Sequence, residues 1–262
     1  MVEGLDRFKA DLGKYSENYI IIGGTACNII LEDLGTVPRV THDIDMIVVV
    51  ERLTAAFVAA FWSFIHQGGY TIEKRLPRNG EPAYALYRFR KPSEPDYPAQ
   101  IELLARQSDD LSEPKDTRIT PIPLEEYQYS LSAIVLDDDL YQFVVSNSQM
   151  VNEIRVASLE ALICLKARAY LNLLREREAG NKVNSNDIKK HRRDVFLLTA
   201  ARTETEPIAV PASILKTVKE FVQRMNAEES VSAMINALKL DREQISVYIA
   251  ALNEMFIGEE GI

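Results

Sequence analysis

The sequence predicts an α/β domain with a mixed sheet over residues 1–150, followed by an all-helical domain over residues 151–262. Two observations carry this. Short β-prone runs punctuated by glycine and proline recur through the first half. After about residue 150 the apolar residues fall at helical spacing instead. At 262 residues the chain is long enough for one large or two medium domains, each with its own core.

In chain order, Leu5, Phe8 and Leu12 mark an amphipathic helix over residues 3–14, read as a lid. Tyr19 to Ile22 is a β-prone run ending at Gly23-Gly24, after which Thr25 is placed to cap a helix to about Asp33. Gly35 to Thr41 links into Thr41-His42-Asp43-Ile44-Asp45-Met46-Ile47-Val48-Val49-Val50. Thr54 caps the next helix, which ends at Gly68-Gly69. Tyr70 to Leu76, Tyr84 to Arg90 and Ala99 to Ala105 read as strands, the first two joined through Pro77-Arg78-Asn79-Gly80. Ser132 to Val145 reads as a hairpin turning at Asp137-Asp138-Asp139. Helices follow over Leu159 to about Arg177, capped by Ser158, and over Asp187 to Ala201. Three more helical segments lie beyond Pro207 and Pro211.

The chemistry-bearing stretch is the one around Asp43 and Asp45. Side chains alternate along a strand, so both aspartates share a face with Ile47 and Val49, while Ile44, Met46, Val48 and Val50 form the other. A strand apolar on both faces is a central strand. Two carboxylates about 7 Å apart at its mouth repel each other at the rim of a low-dielectric core and call for a cation. Mg²⁺ suits hard oxygen ligands that it shares with phosphate. The upstream Gly23-Gly24-Thr25 turn would aim backbone N–H groups at an anion. Glu102 is a lone acid in an otherwise apolar strand. It would serve as a third metal ligand, or else pair with an arginine such as Arg88 or Arg106.

Composition narrows the classes. A net charge of −9 argues against a chain coated for general nucleic-acid binding. Cys27 and Cys164, each in an apolar helical pattern, read as buried thiols of a reducing compartment. With no basic-then-apolar leader and no apolar run long enough to span a bilayer, the expectation is a cytoplasmic protein with no membrane partner.

A glycine turn after a strand, Asp-Ile-Asp heading the next, and an acid on a later strand resemble the nucleotidyltransferase fold shared with DNA polymerase beta. Within that superfamily the chain resembles the AbiEii/AbiGii toxin group, over roughly residues 20–200. The resemblance implies a metal-dependent transferase moving an NMP from an NTP to an acceptor hydroxyl. RNA, with the 3′ end of tRNA foremost, would be the acceptor, and a separately encoded antitoxin a partner. Asp43, Asp45 and Glu102 would hold two Mg²⁺ ions with nucleotide bound; Gly23, Gly24 and Thr25 would hold phosphates. Arg39 and Thr41 would touch phosphate or base at the site mouth. The helix lysine and later aspartate of the group fall at Lys166 and Asp194.

Alternatives accompany these assignments. Lys166 lies on the inward stripe of its helix with Leu159, Leu162, Ile163, Tyr170 and Leu173, so it needs an anionic partner. That partner is Asp194 in an interhelix ion pair, or a triphosphate with Asp194 orienting the lysine. The basic run Lys189, Lys190, Arg192 and Arg193 would follow an RNA backbone or be a solvated helix face. The rival activities are transfer to a small-molecule hydroxyl, as in antibiotic nucleotidyltransferases, and a degenerate module that binds nucleotide or partner without turnover.

Overall fold

The computed structural model describes residues 3–35, 41–75, 84–106, 119–121 and 137–259. Among these the chain is a mixed α/β protein that divides into two compact units. The first, the sheet unit, holds the described residues up to 121 together with 144–158. The second holds 137–143 and everything described from Leu159 on. The expected boundary near residue 150 moves to Ser158, because a hairpin of β7 (Ser148–Val151) and β8 (Ile154–Ala157), which the sequence reading missed, joins the sheet.

That sheet has eight strands among the described residues, in the order β6-β3-β4-β5-β2-β1-β8-β7. Here β1 is Tyr19–Ile22, β2 Asp43–Val48, β3 Thr71–Arg75, β4 Tyr84–Arg90, β5 Gln100–Arg106 and β6 Ile119–Pro121. The acid-bearing β2 is central, antiparallel to β1 and parallel to β5, as its two apolar faces require. On the face carrying Tyr19, Ile44, Met46, Tyr87 and Phe89, rings from α1 (Leu5–Leu12) and α3 (Ala55–Gln67) close the core. Trp62 stands edge-on to Phe89 at 6.0 Å and to Tyr87 at 6.5 Å, and Phe57 stacks on Tyr19 at 5.9 Å. Helix α1 is no lid. Its Phe8 is fully buried edge-on against Tyr19 and Phe64, a burial that contributes about 1.5–3 kcal/mol. Thr54 caps α3 as the sequence indicates, accepting from the Phe57 N–H while its own N–H and hydroxyl donate to Asn18 Oδ1.

The second unit is not all-helical. Its helices among the described residues are α4 (Asp138–Ser146, which also reaches into the first unit), α5 (Leu159–Glu178), α6 (Ser185–Ala201), α7 (Ala212–Met225), α8 (Glu228–Leu238) and α9 (Arg242–Met255). A parallel pair, β9 (Ile208–Val210) and β10 (Phe256–Gly258), joins segments nearly fifty residues apart. The acids expected to turn a hairpin at Asp137-Asp138-Asp139 instead start α4. Asp137 Oδ1 accepts from the Leu140 N–H at 2.9 Å, and acidic side chains suit the positive end of a helix. Residues 132–136 of that expected hairpin, and the Pro77-Arg78-Asn79-Gly80 connection, lie outside the described residues. No helix among the described residues is long and apolar enough to cross a membrane.

Candidate active site

The β1–α2 turn and the head of β2 lie against each other. Register pairs Ile22 with Asp45, so the next residue, Gly23, must pass the aspartate side chain as α2 (Gly23–Asp33) begins. Gly23 has φ +72, and a Cβ there would stand 1.9 Å from Asp45 Oδ2. Glycine is therefore required twice, for the left-handed backbone and for the space the carboxylate fills. Asp45 thus occupies the approach to the N-terminal turn of α2, where the positive end of the helix favours negative charge. Asp43, two residues earlier on the same face, is half-exposed like Asp45.

Thr25 takes a different part from the one expected. It is fully buried inside α2 rather than capping it, and its hydroxyl donates to the backbone carbonyl of Asp43 at 2.5 Å. The side chain anchors the helix to the acid strand and is not offered to phosphate. Thr41 is buried as well, away from any open mouth, and Arg39 lies outside the described residues.

Cross-strand register carries the acid row on across the sheet. Asp45 pairs with Glu102, Glu102 with Arg88, and Arg88 with Glu73, all on one face. One pleat outward, Asp43, Gln100 and Arg90 form the next row; one pleat inward, Ile47, Leu104 and Leu86 turn the face apolar. Glu102 is buried, and Arg88 Nε donates to its Oε1 at 2.7 Å. Arg90 Nη2 lies 2.6 Å from Glu73 Oε1, and Arg88 Nη1 lies 3.8 Å from Glu73 Oε2. The arginine pairing that the sequence allowed for Glu102 is the one formed. Glu73 and Arg90 were missed, although the Tyr-Arg-Phe-Arg alternation of β4 marks a charged face once the register is known.

Asp43 and Asp45 supply the hard oxygens that Mg²⁺ takes. Across the two rows four carboxylates meet two guanidiniums, an excess equal to the charge of one divalent ion. Glu102 fits such an ion only after leaving Arg88. In keeping with that clamp, no three His, Cys, Asp or Glu side chains among the described residues converge as a metal-binding group.

The other two expected residues meet in the second unit. Lys166, on α5, and Asp194, on α6, form an ion pair of 3.1 Å with side chains 2% and 4% exposed. This is the interhelix pairing that the apolar stripe around Lys166 demanded. Along α6, Lys189 is exposed, whereas Lys190, Arg192 and Arg193 are half-buried, so the basic run is not a continuous solvated face.

No protein-family model matches the chain, and no curated protein matches it.

Proposed function

We propose that the sheet unit is the catalytic centre of a Mg²⁺-dependent nucleotidyltransferase with the DNA polymerase beta-like fold, of the AbiEii/AbiGii type. It would move an NMP from an NTP to an acceptor hydroxyl of RNA, with the 3′ end of tRNA as the first acceptor to test. A cytoplasmic setting and a separately encoded antitoxin partner belong to the same reading. The observation that carries it is Asp45 lodged against Gly23 at the start of α2, with Asp43 beside it on the strand.

A carboxylate at the positive end of a helix, one pleat from a second, competes with an incoming phosphate for the same ground. The two anions share it only with a cation between them. Asp43 and Asp45 would hold that cation, and Gly23 and Gly24 would bring backbone N–H groups to the phosphates without side-chain obstruction. Bound there, Mg²⁺ would lower the pKa of the attacking hydroxyl and neutralise charge on the departing pyrophosphate. In the transfer the acceptor oxygen bonds to the α-phosphorus as the bond to the β-phosphate oxygen breaks. Thr25 fixes where Asp43 stands by holding its carbonyl, and Lys166 with Asp194 locks α5 to α6.

A second reading is favoured by the Arg88 clamp on Glu102: a module that binds nucleotide without turnover, its third acid permanently neutralised. Incubation with labelled NTPs, Mg²⁺ and total tRNA separates the two. Label entering RNA with wild type and not with Asp43→Ala supports the transferase; bound nucleotide without transfer supports the silent module.

A further inference from the structure

We propose that Arg88 is a two-position residue that surrenders Glu102 to an incoming divalent cation and moves to Glu73, so that Glu73 sets metal affinity from three strands away. The inference rests on the transferase reading of Asp43 and Asp45. It starts from a buried atom without a partner. Glu73 is 5% exposed, and among the described residues its Oε2 accepts no hydrogen bond, while its Oε1 lies 2.6 Å from Arg90 Nη2. A buried carboxylate oxygen left without a donor is costly, and natural structures keep few of them.

The nearest cation is already in place. Arg88 Nη1 stands 3.8 Å from that oxygen, too far for a hydrogen bond, because its Nε is engaged at 2.7 Å with Glu102. A small swing of the guanidinium would close the gap to about 2.9 Å, and its planar fork would then face Glu73 instead of Glu102. The swing exchanges one buried charge-assisted hydrogen bond for another, so it leaves no arginine stranded. Glu102 sits in register beside Asp45 and would be free to turn toward a cation held there. Each step needs the next: without a cation, releasing Glu102 strands a buried carboxylate, and without Glu73, releasing it strands Arg88.

Calorimetric titration of the full chain with Mn²⁺ alone tests this without any turnover. Wild type binds, Asp45→Ala does not, and Glu73→Gln binds about tenfold more weakly, because Arg88 has lost its second acceptor. The charge-balanced Glu73→Gln/Arg88→Gln variant binds at least as tightly as wild type, since Glu102 no longer has a competing guanidinium. A purely structural role predicts that both variants weaken binding together or that neither does. Glu73→Gln binding like wild type, or the double variant binding more weakly, overturns the proposal while Asp45→Ala still reports the metal site. Asp45→Ala binding like wild type overturns the transferase reading itself. Should Glu73→Gln fail to fold, the double variant decides alone.

Discussion

Two buried ion pairs, Arg88 with Glu102 in the sheet unit and Lys166 with Asp194 in the helical unit, are alike in burial and close in length, at 2.7 and 3.1 Å. Their settings differ. Arg88 stands in a row of charges on consecutive strands, with Glu73 on one side and Glu102 and then Asp45 on the other. Lys166 reaches out of an apolar helix stripe to a residue of the neighbouring helix. A sheet sets side chains of neighbouring strands about 5 Å apart, so one charge has several destinations. Helix packing passes a single side chain through an apolar seam and closes around it. The first arrangement is built to exchange partners, the second to hold one.

The sharpest way to break this comparison is Asp45→Ala. It should leave folding intact, since it only opens space beside Gly23, and lower nucleotidyl transfer by about 10³-fold in single-turnover assays with labelled NTP. Transfer within tenfold of wild type would remove any functional distinction between the two units.

Next in size is Lys166→Met, which leaves Asp194 buried and uncompensated and should cost about 3–5 kcal/mol by urea denaturation. Lys166→Met/Asp194→Leu should recover most of that loss, because a well-packed apolar pair avoids the desolvation penalty. Recovery of stability without recovery of transfer would show that Lys166 also meets the triphosphate and sharpen the contrast with Arg88.

Smaller effects probe the framework of the sheet unit. Thr25→Val removes the hydroxyl that holds the Asp43 carbonyl and should lower stability by about 1 kcal/mol in thermal unfolding. An unchanged Tm would mean that the α2–β2 tie does not position the acid. In the opposite direction, Glu153→Gly should stabilise by about 0.5–1 kcal/mol. Asn152 and Glu153 form the two-residue turn of the β7–β8 hairpin at φ +48 and +72, a geometry that glycine adopts without steric cost.

Smallest is the acid limb of the stability curve. A charged hydrogen bond from Arg155 holds the Glu17 carboxyl below its ordinary range, against an opposing effect of partial burial. Its stabilising contribution is therefore present above the ordinary glutamate value, about pH 4.3, and is lost as pH falls through the lowered folded value. Glu17→Gln should flatten that part of the pH–stability profile slightly, because the half-exposed pair is screened by solvent and salt. A steeper acid limb in the variant would contradict the sign.

Much of this was legible along the chain because it is local. Thr54 three residues before Phe57 announces its cap, and the isolated cation at Lys166 announces a buried partner. The β7–β8 hairpin was hidden because its turn uses Asn152-Glu153 without the usual glycine. Asp137 to Asp139 misled because aspartate favours turns and helix starts alike.

By itself the sequence determined the mixed α/β class, the shared face of Asp43 and Asp45, and the inward aim of Lys166, since all three follow from repeats of two or 3.6 residues along one segment. Tertiary structure alone decided that Asp45 lies on Gly23, that Glu102 stands between Asp45 and Arg88, and that Ile208–Val210 pairs with Phe256–Gly258. The reason is register. Which residue of one strand faces which of another is set by the burial of the whole sheet face at once, and no single segment encodes it.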